Sequence, residues 1–255
     1  MSQPVICFGQ QPCGFLPKRF LYAKVEAARR LQASIGGEIV FFFHDSDHDP
    51  RETVTILRER GSGREHRLNF QFLNKIQKQF SPLYVKQILP EWQIMMKQQI
   101  GKYVERDLVE KFTSVDSANP ADFCLEMYRK IGLLDGVRVE RSSDAGFRRR
   151  AVPVDDYFVD VRWEGEIVRA RHRDGKLLLH KGGDKWIEVP WQDFDAAQIS
   201  PARDSRFRWM QSVIHCTHYV AGAGERGYLN EADAPEVQFV PRLDIAEPEK
   251  AYVPD

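Results

Sequence analysis

A chain of 255 residues is long enough to bury about 70–75% of its unfolded surface in one large domain, and 42% apolar with 29% charged residues speaks against extensive disorder. Lys plus Arg and Asp plus Glu balance at 37 each, so no global field draws the protein to nucleic acid or to an anionic membrane, and a charged ligand has to be recognised locally. The cysteines Cys7, Cys13, Cys124 and Cys216 are scattered without a CxxC pair, which suits reduced thiols better than a disulfide scaffold or zinc knuckle; residues 1–11 lack the basic-then-apolar pattern of an export signal and no apolar run is long enough to span a bilayer, so a cytoplasmic protein with no membrane partner is expected.

Residues 5–8 form a short apolar run that ends in Gly9-Gln10-Gln11-Pro12. After Pro17, a residue suited to a first helical turn, Leu21, Val25, Ala28, Leu31 and Ile35 recur at helical spacing, and Gly36-Gly37 stops the helix. Residues 38–43 have the continuous apolar character of a strand covered on both faces, as in a parallel sheet. The first fifty residues therefore predict a βαβ unit with a right-handed crossover.

From about residue 81 to 132 the spacing of Val85, Leu89, Trp92, Met96, Ile100, Val104, Leu108 and Phe112 predicts helices, with Pro90 dividing the first and Asn119-Pro120 opening another. Residues 81–150 are expected to be a helical insertion, whose Trp92/Met96 face can serve as core or as the surface of a homo-oligomer. Residues 157–189 change to alternating runs separated by Glu164-Gly165, Asp174-Gly175 and Gly182-Gly183-Asp184, the turn signals of hairpins. A small antiparallel β segment is expected over 151–195. Beyond Ser200-Pro201 the pattern predicts a helix through Trp209 and Val213, a strand over 216–220, a glycine turn over 222–227, a last strand over 237–240, and an irregular tail from Glu247. The expected class is α/β, with residues 1–80 and 196–255 forming the two parts of one core.

The segment most suggestive of chemistry is His44-Asp45-Ser46-Asp47-His48-Asp49, which follows the carboxyl end of a buried strand, where ligands bind in open α/β sheets. Its carboxylates and imidazoles can bind a divalent metal, act as acid and base, or grip hydroxyl and amino groups. An EF-hand loop does not fit, because the glycine is missing and Ile56 stands where the bidentate glutamate belongs. Gly9-Gln10-Gln11 offers donors and acceptors to a small polar ligand at the end of the first strand, and Lys24, on the following helix, can reach a phosphate or carboxylate. Gly222, Gly224 and Gly227 match GxGxxG. The helix they would open is short, however, and Glu225 would set a negative charge beside a pyrophosphate, so a backbone-lined pocket wall with Glu225 as a hook for an amine or hydroxyl fits better than a dinucleotide site. His215 and His218 flank Cys216, but on a strand they cannot converge with it. Arg148-Arg149-Arg150 lacks the interleaved aromatics of a nucleic-acid contact.

Taken in order, these segments resemble the cysteine-adding enzyme family of bacillithiol synthesis. That family has a Gly-Gln-Gln turn after its first strand, a Lys-bearing helix, and a Glu-Asp-His-Asp motif after its second strand; here stand Gly9-Gln10-Gln11, Lys24 and Asp47-His48-Asp49, with Ser46 in place of the glutamate. Near its C-terminus the family has a Ser-Pro segment, a helix, a motif similar to Ala-Tyr-Val-Gly-Gly-Pro-Gly-Glu-Ile-Ala-Tyr and a Pro-Arg pair, against Ser200-Pro201, residues 218–228 and Pro241-Arg242 here. The likeness covers roughly residues 5–57 and 155–243, and the family's long coiled-coil arm has no counterpart. It implies a Rossmann-like core of the nucleotidyltransferase and class I tRNA-synthetase type. It also implies a small-molecule ligase that joins cysteine to an amino sugar conjugate with activation by ATP or another nucleotide, magnesium accompanying it. On that basis His48, Asp47 and Asp49 are the catalytic candidates, with His48 as base. Gly9, Gln10, Gln11, Lys24, His44, Tyr219, Gly222, Gly224, Glu225 and Tyr228 are the binding candidates. Two alternatives stay open: a metal-dependent glycosyl or nucleotidyl transferase using Asp45-Ser46-Asp47 as a DxD motif, and a non-catalytic small-molecule-binding protein of the same fold.

Overall fold

The computed structural model describes residues 3–59, 61–227, 229 and 231–243; the tail from Glu247 lies outside them. The chain begins with β1 (Val5–Gln10), α1 (Arg19–Ile35) and β2 (Glu38–Phe43), and the two strands pair in parallel from Val5↔Glu38 to Gln10↔Phe43. Gly36 caps α1 with φ 74°, and Gly37 lets the chain pass Pro4 closely, since a Cβ there would meet the Pro4 carbonyl oxygen at 2.2 Å.

A hairpin of β3 (Thr55–Arg58) and β4 (Glu65–Leu68) follows, then α2 (Lys75–Phe80), α3 (Trp92–Gln99), α4 (Arg106–Thr113) and α5 (Pro120–Lys130). Asn119 caps α5 as its sequence suggests, its side chain accepting from the Asp122 N–H ahead of Pro120 at the first turn. The expected helix over Val85 and Leu89 does not form: beyond the single turn that follows Pro82, residues 81–91 are irregular, and Pro90 turns Leu89 away from helical dihedrals. Trp92 and Met96 are 1% and 3% exposed, so their face is core, with Trp92 stacked on Phe70 at 4.5 Å.

The span expected to be a helical insertion also supplies β5 (Val137–Arg141), paired in parallel with β2 at the edge of the central sheet. After α6 (Ala145–Arg150) come β6 (Tyr157–Trp163), β7 (Glu166–Arg173), β8 (Lys176–Gly182) and β9 (Lys185–Val189), an antiparallel meander. Its first two turns have positive φ at both central residues, Glu164-Gly165 and Asp174-Gly175, the type I′ chemistry that matches strand twist. The meander gains β10 (Ile199–Pro201), which pairs with β6, so this sheet reaches beyond residue 195. The chain then returns to the core through α7 (Arg206–Ile214), β11 (His218–Ala221), α8 (Ala223–Arg226) and β12 (Gln238–Pro241). His215 is the left-handed C-cap of α7 rather than a strand residue, with φ 51°.

The central sheet runs β12-β11-β1-β2-β5 and is parallel throughout. It is therefore an α/β fold with a Rossmann-like core beside a separate antiparallel sheet. The strand period sends Ile6, Phe8, Ile39, Phe41 and Phe43 to the α1 side and Cys7, Val40, Phe42 and Tyr219 to the α7 side. Both faces are covered, which is why β2 reads as an unbroken apolar run. Among the described residues no helix is long and apolar enough to cross a membrane.

The loop after β1 is pinned to α5 by the buried Tyr128 hydroxyl, which accepts from the Cys13 N–H at 2.9 Å and donates to the Gly14 carbonyl at 2.8 Å. Tyr128→Phe leaves both backbone groups unsatisfied, and urea unfolding should show a loss of about 1–3 kcal/mol; an unchanged midpoint would mean the loop does not depend on this anchor.

Candidate functional site

From β1 the chain builds outward through β2 to β5, then returns to the other side of β1 with β11 and β12. The order reverses between β1 and β11, and open α/β sheets bind ligands at the carboxyl edge of such a switch point. A cavity of about 300 Å³ lies there. Gly9 opens it: a Cβ at this position would lie 2.7 Å from both His44 Nε2 and Tyr219 Oη. Gly9, Tyr219 and His44 belong to the α7 side of the sheet, so the missing side chain leaves a gap between an imidazole and a phenol.

Gln10 and Gln11 border the cavity beside Gly9, and residues 222–225 close it from the β11 side. Gly222 and Gly227 have φ −78° and −63°, so neither takes the left-handed conformation of a glycine turn. Lys24 reaches in from α1, but its ammonium is already engaged, donating to the Gly9 carbonyl at 2.7 Å and to Glu225 Oε2 at 2.6 Å. Glu225 also accepts from the Tyr219 hydroxyl at 2.9 Å and from the Gly222 N–H at 3.4 Å. Lys24 thus holds a carboxylate in place instead of presenting a free charge to a ligand. Tyr228 lies outside the described residues.

The acidic motif after β2 divides among different surroundings. His44 lines the cavity, is 7% exposed, and packs its ring edge on Phe42 at 4.5 Å. Asp45 is fully buried and faces β5 and the turn after it, accepting from Arg141 Nε at 2.6 Å, Ser142 Oγ at 3.1 Å, and the Ser143 N–H and Oγ at 2.9 and 2.6 Å. Asp47 turns the other way: Gln11 Nε2 donates to it at 3.4 Å, and Arg169 and Arg206 stand 3.8 and 4.0 Å off. Asp49 pairs with Arg51 at 2.6 Å. Asp45 and Asp47 therefore share no common direction for a cation, and among the described residues no group of three or more His, Cys, Asp or Glu side chains is placed to hold a metal ion. His48 is not part of the cavity lining; its Nδ1 is 3.7 Å from Asp47 Oδ1 and its ring faces Phe158 at 6.2 Å.

The remaining wall comes from residues that motif reasoning passed over, Arg203, Arg206, Phe207 and Met210 around the start of α7 with Phe20, and from Arg242 of the Pro-Arg pair, which was not among the binding candidates. Behind it Arg169, 5% exposed, stacks on Phe158 at 3.9 Å and donates to Ser200 Oγ and the Pro201 carbonyl at 3.1 and 3.0 Å. One side chain of the antiparallel sheet is thus anchored against the rear of the site.

Burial pushes the His44 pKa well below its ordinary value, reinforced by the charges of Arg206 and Lys24. Burial, with Arg169, likewise lowers His48 to about 4. Burial alone would raise the Asp47 carboxyl, but Arg169 and Arg206 outweigh it and hold the group ionised far below the usual carboxylate range. At neutral pH both imidazoles are therefore neutral and only weakly basic, and Asp47 stays charged.

These shifts have a stability consequence with a definite sign. The unfolded chain protonates His48 near pH 6.5 while the folded chain does so near 4, so folding stability is full above pH 6.5 and declines as pH falls toward 4. Urea unfolding across that window should show a shallower pH slope for His48→Gln than for the wild type; equal slopes would contradict a neutral buried imidazole.

No protein-family model matches the chain, and comparison with curated proteins finds no similar one.

Proposed function

We propose that this protein is a small ligase-like enzyme that joins cysteine or another amine to a small carboxylated or amino sugar substrate, as its resemblance to the cysteine-adding family implies. What carries the reading is that Gly9-Gln10-Gln11, His44, Tyr219 and residues 222–225, segments far apart in sequence, line a single cavity at the switch point of a parallel sheet. Its volume of about 300 Å³ is at the lower end of small-molecule sites. That suits an amino acid or the reacting end of a sugar conjugate.

An amine must shed a proton as it forms a new C–N bond. His44 is the imidazole in the cavity and the group placed to take that proton, and an anionic substrate beside Arg206 would offset the positive charge that holds its basicity down; general-base help of this kind is worth about 10²–10⁴-fold. Glu225, fixed by Lys24 and Tyr219, accepts a hydrogen bond from the incoming amine and orients it. Gln10 and Gln11 offer amide groups to sugar hydroxyls. His48 and Asp47 act from behind the wall, where Asp47 faces both Gln11 and Arg206. When bound, ATP or another nucleotide with magnesium would supply the activation, turning a carboxylate into an acyl phosphate or acyl adenylate whose C–O bond breaks as the C–N bond forms, so that phosphate or AMP leaves; Arg206 at the start of α7 would hold its phosphates.

Thermal-shift titration against ATP, ADP, cysteine and amino sugar conjugates, with and without magnesium, should give nucleotide-dependent stabilisation, about 2.7 kcal/mol at 100 times the Kd. His44→Ala should retain much of that binding and lose turnover by at least about 100-fold. Silence across the panel, or unchanged turnover in the variant, would contradict the assignment.

A further inference from the structure

The cavity's cations are not alike. Lys24 has spent its donors on Glu225 and the Gly9 carbonyl, and Arg203 donates to Asp204 at 2.7 Å. Arg206 is different. Its side chain is only 18% exposed, yet its guanidinium makes no hydrogen bond with the described residues and has only the 4.0 Å ionic contact to Asp47, which is already shared with Arg169. Arg242 completes the picture: its guanidinium lies over the Phe20 ring at 5.9 Å and beside Gly222, again without a hydrogen-bond acceptor among the described residues. Two planar donor forks thus border one cavity with their N–H groups unspent. Such forks match carboxylate and phosphate oxygens in pairs.

The backbone points the same way. Arg206 is the first residue of the nine-residue α7, whose N-cap Ser205 makes no side-chain cap and whose first turn holds no acidic residue. The helix N-terminus, electropositive and uncapped, opens on the same wall. His44, 7% exposed, has its Nδ1 without a partner among the described residues, a buried polar atom left over beside the same cavity.

We propose that Arg206 and Arg242 form an anion subsite, which takes the phosphate or carboxylate group of the cavity's ligand while Glu225, at the opposite charge, takes its amine or hydroxyl end. This deepens the ligase-like assignment by naming the ligand as a small molecule with an anionic group, and it rests on that assignment only for the identity of the reaction. Asp47 has a positioning role: it holds Arg206 at a distance that orients the guanidinium without neutralising its hydrogen-bonding edge.

The test is isothermal titration of the full chain with inorganic phosphate, pyrophosphate and succinate at low and high salt. It is repeated on Arg206→Gln, Arg242→Gln, the charge-retaining Arg206→Lys, and the exposed control Arg106→Gln. The expected result is binding of at least one anion that weakens with salt and falls about 10- to 100-fold in Arg206→Gln and Arg242→Gln, as loss of a charged hydrogen bond implies, with Arg206→Lys intermediate and the control unchanged. Response to the phosphates alone identifies a phosphorylated ligand, and response to succinate alone a carboxylated one; either supports the subsite. Unaltered affinity in both glutamine variants, or no anion binding to a wild-type protein that does bind cysteine or amino sugars, overturns it. Anion binding dependent on Arg206, found without any ligase turnover, would sustain the subsite while removing the ligase assignment.

Discussion

The Lys24 ammonium sits 2.6 Å from the Glu225 carboxylate, with the two side chains only 4% and 13% exposed. Together with the parallel pairing of β1 and β11, this contact closes the sheet's switch point, tying the opening βαβ unit to the strand and short helix that return beside it. A largely buried ion pair gains little net stability over an apolar substitute, but removing one member strands the other. Its value lies in specification: Lys24 also holds the Gly9 carbonyl, so the pair fixes the backbone that must come close to His44 and Tyr219. The cavity exists because that approach is enforced at a residue with no side chain.

Around this pair the electrostatics divide by function. Burial keeps the imidazoles neutral, whereas the Asp47 carboxyl stays ionised because two guanidinia outweigh its desolvation. Asp45, with its arginine and two serines, is spent on joining β2 to β5 and α6. A cluster that looks like one acidic motif in the sequence is therefore three separate devices: a group in the cavity, a support behind it, and a structural anchor.

The parts legible in the sequence are those with a local cause. The first βαβ unit declares itself through Gly36-Gly37 and the unbroken apolar β2, and the meander through turn dipeptides whose residues take positive φ. The alignment of the Gly-Gln-Gln turn with residues 222–225 at one edge follows from parallel strands once their order is known. β5 was hidden because an edge strand is only half-buried and mixes Val137 and Val139 with Arg138, Glu140 and Arg141. Val85 and Leu89 kept helical spacing, but the turn after Pro82 does not continue and Pro90 turns Leu89 away from helical dihedrals. Arg206 was invisible for a deeper reason: it looks like an ordinary surface charge until α7 brings it to the cavity wall, and Arg242, noticed only as half of a Pro-Arg pair, gained its place in the site from the end of β12; nothing local marks a lysine such as Lys24 as already paired.

The central claim is that the Lys24–Glu225 pair assembles this site, and a double-mutant cycle on unfolding free energy tests it most directly. Lys24→Met and Glu225→Gln should each cost about 3–5 kcal/mol, with the double variant losing far less than their sum because neither leaves a stranded charge. Strictly additive losses would show that the two side chains do not depend on each other, and the account of how the cavity is built would fall with them.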